Sequence, residues 1–146
     1  MAITTRPLQA EDHAAWLPLW SGYLSFYETE LAPGISERTW ARLLDPVVPL
    51  DGLAALDTDG RMIGFVHFVF HLSTWAPAER CYLEDLFVAP GIRGSGAGRA
   101  LIEAVFAASA RRGCDQVYWH TAEDNVTARR LYDRIGRLSP FVRYTD

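Results

Sequence analysis

The sequence predicts an α/β (α+β) fold in which helices flank a mixed, mostly antiparallel sheet. Strand-like runs come first, and a strand-helix-strand-helix unit follows them in the second half of the chain. The strands of such a unit are parallel, because the connecting helix returns the chain to the same end of the sheet. With 146 residues, 49% of them hydrophobic, the chain has the size of a single domain over residues 1–146.

The first third of the chain predicts two helices after a short strand. Residues 3–5 have strand character, and apolar side chains at helical spacing predict a helix over residues 12–31. Pro33 and Gly34 would end that helix. Ser36 is the predicted N-cap of a second helix, which ends at Leu44.

The middle of the chain predicts a hairpin and one further strand. Residues 52–56 and 62–72 alternate or run apolar, and Asp57-Thr58-Asp59-Gly60 joins them. An Asp-Gly pair between two such runs is a strong hairpin signal. Residues 81–89 form the next predicted strand.

The last third predicts two helices and two strands. A helix over residues 97–112 ends in two arginines that suit the negative end of its dipole, and Gly113 suits its C-terminal cap. Residues 116–121 form a strand, and residues 125–135 form a helix stopped by Gly136. A last strand is predicted over residues 140–144.

Composition narrows the classes of function. The formal net charge of −4 argues against a nucleic-acid surface, which needs a clustered basic face. The chain has no lysine, so every basic side chain that is positive at neutral pH is an arginine. The absence of a signal-peptide pattern and of a run of about 20 apolar residues predicts a cytoplasmic protein with no membrane partner. Cys81 and Cys114 are too few for a disulfide framework or a zinc site, so we expect reduced thiols and no metal.

A glycine-rich segment, LFVAPGIRGSGAG, lies between a predicted strand and a predicted helix. Free backbone N–H groups and the helix dipole favour an anion there, with Arg93 and Arg99 beside it. This pattern predicts a pyrophosphate site. A P-loop is excluded because it requires lysine, and a Rossmann fingerprint would come early in the chain. The alternative is a glycine-rich turn that binds no ligand.

Two longer segments resemble the GCN5-related N-acetyltransferase (GNAT) family. CYLEDLFVAPGIRGSGAGRALIEAV resembles the family motif Arg/Gln-x-x-Gly-x-Gly/Ala, and VYWHTAEDNVTARRLYDRIG resembles its Asn-x-x-Ala-x-x-Leu-Tyr signature. FYETEL, TWARLLD and GFVHFVFHLSTW resemble the branch with spermidine/spermine acetyltransferases and the fungal histone and D-amino-acid acetyltransferases. The resemblance implies the GNAT fold with splayed parallel central strands, acetyl-CoA as cofactor and an amine as acceptor.

The resemblance also implies which residues hold the cofactor. In the family, pantetheine lies along the backbone of the fourth strand and the pyrophosphate caps the following helix. The residues that match are Leu86, Phe87, Val88, Arg93, Gly94, Ser95, Gly96, Ala97, Gly98, Arg99, Asn125 and Arg129.

A pair of proton-transfer groups is implied as well. Glu84 matches the general base of the polyamine branch, and Tyr132 matches the general acid. Tyr132 follows Asn125 by seven residues, about two helical turns, so both face one groove. Asp85 points away from Glu84 in a regular strand unless a bulge intervenes. The alternatives are an ion-pair role for Glu84 and a core role for Tyr132.

Other reactive groups offer competing hypotheses. His67 and His71 share a face of one strand and suit a base or a metal site, although a structural role is commoner. Cys81 has no neighbouring base to activate it, so direct attack in a ternary complex is the expected mechanism. An acyl-CoA sensor without turnover and a protein-lysine acetyltransferase remain alternatives.

The acceptor prediction depends on the first helix and the following loop. Glu28, Glu30 and Glu37 would attract a cation, Tyr27 would offer an aromatic face, and Trp75 is assigned to the substrate side. A small primary amine with a second positive charge, such as a polyamine or a lysine-like compound, is therefore expected. The alternative is a solvated acidic face. The apolar tail, residues 139–144, predicts a homodimer.

Overall fold

The computed structural model describes residues 2–146 and contains a five-stranded sheet in the order β1-β2-β3-β4-β5. The first four strands are antiparallel to their neighbours, and β5 is parallel to β4. The predicted α/β class is confirmed. The strands are β1 (Thr4–Pro7), β2 (Leu50–Leu56), β3 (Met62–Leu72), β4 (Glu79–Val88) and β5 (Val117–Tyr118); the helices are α1 (His13–Phe26), α2 (Ile35–Leu44), α3 (Ala97–Arg112) and α4 (Val126–Ile135).

The two faces of the sheet are covered by different helices. On one face α3 buries Leu101, Ile102 and Val105, each fully enclosed. On the other face α1 buries Trp16 and Trp20 against the aromatic side chains of the sheet. Each such side chain contributes roughly 1.5–3 kcal/mol of burial, so both helices are held firmly on the sheet.

A β-bulge interrupts β4 at Glu84. His67 of β3 pairs with Asp85 while Phe68 pairs with Leu83, so Glu84 has no partner in β3. The extra residue reverses the alternation of the strand. Leu83 packs in the α3 core and Phe87 in the α1 core, and Glu84 and Asp85 therefore lie on the same face. The bulge removes the separation that a regular strand would impose on these two acids.

The first helix is shorter than predicted. It ends at Phe26 instead of residue 31, because Glu28 takes a left-handed φ of 51° and the Thr29 N–H bonds the Leu24 carbonyl. The second helix has Gly34 as its N-cap, and the prediction of Ser36 as N-cap is wrong. The Ser36 hydroxyl accepts a hydrogen bond from Trp20 Nε1 at 2.9 Å.

Most of the predicted element bounds, turns and caps after residue 56 are confirmed. The structure confirms β3 and α3 with the predicted bounds, the hairpin at residues 57–60, and the cap at Gly113. The strand predicted over residues 116–121 is reduced to Val117–Tyr118. Among the described residues, 140–144 form no strand, so that prediction is wrong. The sheet therefore ends at β5.

Candidate active site

A cavity of about 380 Å³ opens where β4 and β5 separate. The two strands pair only through Cys81 with Val117 and Tyr82 with Tyr118, and then diverge, as the resemblance implied. The cavity contains one carboxylate among aromatic rings. Its lining includes Glu84, Tyr23, Tyr27, Tyr82, Trp119 and Tyr132.

Glu84 reaches this cavity from the bulge of β4. Partial burial raises the pKa of its carboxyl, and the neighbouring charge of Asp85 raises it further. The Arg143 guanidinium and a hydrogen bond from Tyr82 act in the opposite direction and lower it. A carboxylate with a raised pKa is a stronger base, which suits proton abstraction near neutral pH.

Tyr132 lies on α4 and lines the same cavity. Burial is the main cause that raises the pKa of its hydroxyl, with a smaller contribution from Tyr27. The ring packs edge-on against Trp119, with centroids 5.5 Å apart. The structure thus places on the lining of one cavity the two side chains that the resemblance assigned as base and acid.

Asn125 and Arg129 hold the loop that leads into α4. The Asn125 amide oxygen accepts from the Ala128 N–H and caps the helix, and its nitrogen donates to the Thr121 hydroxyl. Arg129 donates to the Glu123 carbonyl at 2.7 Å. Both residues named for the cofactor thus have bonds within the protein that fix the start of α4.

The glycine-rich loop forms a cradle with open backbone. Gly94 and Gly96 have φ values of 88° and 91°, and a Cβ at either position would meet no atom within 4 Å. Gly96 is the N-cap of α3 and has no side chain to bond the free N–H groups of the first turn. The Ser95 hydroxyl is buried without a hydrogen-bond partner among the described residues. These features suit an anionic ligand such as a pyrophosphate.

The two arginines near the loop are engaged elsewhere. Arg93 donates from Nε to the Val88 carbonyl at 3.2 Å, and its guanidinium lies over the rings of Phe26 and Phe87. Arg99 pairs with Glu103, one turn along α3, at 2.8 Å. Backbone groups and Ser95, not the arginines, make up the open part of the loop.

The residues proposed for the acceptor side are separated. Tyr27 lines the cavity, whereas Glu28 lies outside it on the left-handed turn that follows α1. Trp75 is 78% exposed and also lies outside the cavity. Arg143 of the C-terminal tail lines the cavity in their place. Sequence reasoning missed Arg143, because the tail was predicted as a strand.

The two histidines of β3 have different surroundings. His67 is buried and lies between Trp16 and Asp85, while His71 Nε2 lies 2.7 Å from the Tyr118 hydroxyl. In the described residues, no three His, Cys, Asp or Glu side chains are placed to hold a metal ion. Cys81 is buried, and burial raises the pKa of its thiol to about 12. It therefore has no thiolate to carry an acetyl group.

Comparison with known proteins gives the following matches. A model of the Acetyltransferase (GNAT) family matches residues 14–136. The D-amino-acid N-acetyltransferase HPA3 of Saccharomyces cerevisiae is 37% identical over 143 residues, which cover 97% of this chain and 89% of that protein. The thialysine N-epsilon-acetyltransferase of Mus musculus is 30% identical over 107 residues, which cover 72% of this chain and 60% of that protein.

Solved structures match over the whole chain. A ribosomal-protein-alanine N-acetyltransferase from Brucella melitensis biovar Abortus 2308 superposes with a TM-score of 0.82 at 20% identity, covering 99% of both chains. AAC(6')-Iy in complex with the bisubstrate analog CoA-S-monomethyl-acetylneamine superposes with a TM-score of 0.79 at 19% identity, covering 100% and 99%. At these identities the likeness establishes the fold. Across residues 2–146 no helix has the length and apolar character that a membrane crossing requires.

Proposed function

Because the chain belongs to the GNAT family of N-acetyltransferases, we propose that it moves an acetyl group from acetyl-CoA to the primary amine of a small amino-acid-like acceptor. One observation carries the proposal. Glu84 of β4 and Tyr132 of α4 line one cavity at the gap between β4 and β5, and the glycine-rich loop begins a few residues beyond the end of β4.

The residues present fit the cofactor. The buried Ser95 hydroxyl and the free N–H groups at the start of α3 would hold its pyrophosphate. The backbone of residues 86–88 lies on the side of β4 that β5 leaves unpaired, so it would bond the pantetheine. When bound, acetyl-CoA supplies an activated acetyl group as a thioester.

The protein's own part is to move two protons. Glu84 would take one from the attacking ammonium, so that the free amine acts as nucleophile. Tyr132 would keep its proton on Oη until the leaving sulfur needs one. Its raised pKa keeps the phenol protonated at working pH. The net result is one N–C bond formed and one S–C bond broken. Two protons leave the nitrogen: the first goes to Glu84, and the second restores the phenol of Tyr132 after its own proton has gone to sulfur.

The acceptor class follows from two charges in the cavity. Glu84 and the rings of Tyr23 and Tyr27 suit an ammonium group, and Arg143 suits a carboxylate. A lysine-like amino acid offers both. The relatives named for D-amino acids and for thialysine support this class. Polyamines are the second candidate, since Glu28, Glu30 and Glu37 are exposed acids in the segment after α1 and in the first turn of α2.

The test is release of thiol from acetyl-CoA with a panel of amines. We expect turnover with lysine-like amino acids, and we expect Arg143→Gln to raise KM for these acceptors at least tenfold while leaving KM for a polyamine unchanged or lower. Arg42→Gln, on the surface of α2, is the matched control. If polyamines react faster than amino acids and Arg143→Gln changes nothing, the second candidate is correct.

If the wild-type protein releases no thiol with any amine, it is an acyl-CoA sensor. If it acetylates only protein lysines, it is a protein acetyltransferase. A pH series adds a check on the base. Because the pKa of Glu84 is raised, kcat/KM should fall as the pH drops through that raised value, which gives the pH profile an acidic limb. Glu84→Gln should abolish the activity that depends on this group.

A further inference from the structure

A buried chain of hydrogen bonds runs beneath the cavity from α1 through β3 to β4. Trp16 Nε1 donates to His67 Nε2 at 3.0 Å, and His67 Nδ1 lies 2.9 Å from Asp85 Oδ2. Trp16 and His67 are fully buried, while the Asp85 side chain is 14% exposed. We call Trp16, His67 and Asp85 the relay. The proposed proton transfers do not use any of the three.

The relay has a single direction. An indole N–H can only donate, so His67 Nε2 has to accept. The one proton of the neutral imidazole is then on Nδ1, where it donates to Asp85. The bond from Trp16 therefore fixes the His67 tautomer, with Nε2 as acceptor and the Nδ1–H directed at Asp85. A hydrogen bond from such a donor favours the charged form of a carboxyl group.

The bulge of β4 places Asp85 beside Glu84 at the active site. Because Glu84 is the extra residue of the bulge, its side chain and that of Asp85 share one face, and both line a recess next to the cavity. Tyr23 also lines this recess, and burial raises the pKa of its hydroxyl, with further contributions from Asp85. Tyr23 therefore keeps its proton in the neighbourhood of Asp85.

We propose that the relay is a positioning device for the base: it keeps a permanent negative charge at Asp85 beside Glu84, so that Glu84 binds the proton of the acceptor ammonium more tightly than an isolated glutamate would. The inference rests on the proposed function of Glu84. His67 and Trp16 act through Asp85 and touch neither substrate. Their role is to prevent Asp85 from changing its charge across the working pH range.

Several other charged or titratable side chains lie near the relay. Opposite His67, β2 presents only the backbone of Gly52. His13 and Tyr23 of α1 and Tyr27 just after it face the relay from one side. The titratable or charged side chains that line the recess with Asp85 include Tyr82, Glu84, Tyr118, His120 and Arg143. Arg143, which is exposed, and the hydrogen bond from Tyr82 oppose the effect of Asp85 on Glu84.

The first experiment is Asp85→Asn. The asparagine oxygen still accepts from His67, so the shape of the relay is kept while its charge is lost. Glu84 then becomes a weaker base, and the acidic limb of kcat/KM should move to lower pH by about one unit, the scale of one neighbouring charge. The ratio of variant to wild-type rates at each pH cancels the titration of the acceptor itself. An unshifted limb overturns the proposal.

The second experiment is Trp16→Phe, with Trp20→Phe as control. Phenylalanine keeps an aromatic ring but removes the donor to His67 Nε2, so this nitrogen is free to take a proton, and an imidazolium would cancel the charge of Asp85. The variant should gain a pH dependence of kcat/KM that the wild type lacks. Trp20 belongs to the same helix and stacks on Trp16 at 5.5 Å, but it donates to Ser36, so its variant should keep the wild-type profile.

A measurement without turnover separates this inference from the proposed function. Nitrogen-15 NMR of the His67 imidazole should show its proton on Nδ1 in the wild type at pH 7, and a series toward lower pH should show a second proton on Nε2 only in Trp16→Phe. A proton on Nε2 in the wild type overturns the relay even if the enzyme is active. An inactive enzyme with the expected tautomer refutes the proposed function and the effect on Glu84, but leaves the direction of the relay established.

Discussion

At the scale of single residues, the site depends on one acid and one phenol with different surroundings. Glu84 has Asp85 beside it and opens to the cavity, so its proton affinity is raised while it stays accessible. Tyr132 is more deeply placed, and its proton stays bound. Both environments favour the protonated form, but a carboxyl group has a much lower ordinary pKa than a phenol. Glu84 can therefore accept a proton while Tyr132 donates one.

Tyr132→Phe should lower kcat about 100-fold, since only the proton donor is removed. Binding of acetyl-CoA should change little, because the ring and its packing against Trp119 remain. Steady-state kinetics and calorimetric titration measure the two quantities. Tyr144→Phe, whose ring is 90% exposed in the tail, is the control. Turnover at the wild-type rate in Tyr132→Phe would rule out its role as the acid.

A second residue-scale prediction concerns stability. Hydrogen bonds from Arg6 at 2.7 and 2.9 Å hold the pKa of Asp12 below its usual value. The contribution of this ion pair is therefore complete above the unfolded pKa of about 3.9 and is lost as the pH falls through the lower folded value. Arg6 is one third exposed, so solvent screens the pair, and Asp12→Asn should lower the free energy of unfolding by about 1 kcal/mol at pH 7.

The effect of the same substitution should shrink as the pH falls below the unfolded pKa of about 3.9, and it should be smaller at pH 2 than at pH 7. Urea unfolding at the two pH values measures the difference. Glu11→Gln changes an exposed acid on the same turn and serves as control. An equal loss at both pH values would mean that the charge of Asp12 contributes nothing.

At the scale of elements, the turn between β4 and α3 can be tested with two glycines. Gly96 at the loop and Gly60 at the hairpin both have positive φ and open space around Cβ. Gly96→Val and Gly60→Val should therefore lose similar stability, roughly 1–2 kcal/mol, from left-handed backbone strain. Only the first places a side chain where the anion would approach.

Thermal shift with CoA distinguishes the two variants. At 100 times its Kd, CoA should stabilise the wild type and Gly60→Val by about 2.7 kcal/mol, and it should not stabilise Gly96→Val. Ser95→Ala should weaken binding without loss of stability, because the hydroxyl has no partner in the described protein. Equal protection of both valine variants would remove the loop from the cofactor site.

At the scale of the whole molecule, the C-terminal tail is the exposed apolar segment that the fold does not use. Leu138, Phe141, Val142 and Tyr144 are each at least 73% exposed, and no strand forms over residues 140–144 in the described structure. Exposed extended apolar chain is suited to pairing with a second copy. We propose that the protein is a homodimer in which the tail contacts the partner.

Light scattering at micromolar concentration should give twice the 16.4 kDa of one chain. Val142→Asp should yield a monomer, whereas Val47→Asp, at an equally exposed valine in the loop after α2, should not. Since Arg143 lies in the cavity, loss of the dimer should also raise KM for amino-acid acceptors. A wild-type monomer, or a dimer that Val142→Asp leaves intact, would contradict this arrangement.

The amino-acid sequence by itself determined the features that depend on near neighbours. The bounds of α3 and β3, the Asp-Gly hairpin and the Gly113 cap follow from periodicity, turn residues and helix-end charges, which act within a few residues. The glycine-rich loop and the pairing of Glu84 with Tyr132 in one cavity were also predicted, although through resemblance to a family. Their chemical roles stay predictions.

The tertiary structure alone decided the features that depend on residues far apart in the chain. Trp16 and His67 are 51 positions apart and His67 and Asp85 are 18 apart, so no local pattern encodes their bonds. The bulge at Glu84 arises from register with β3, the early end of α1 from the left-handed turn at Glu28, and the place of Arg143 from the path of an unpaired tail. Each of these features depends on packing interactions between residues that are far apart in the chain. Short-range propensities do not describe such interactions.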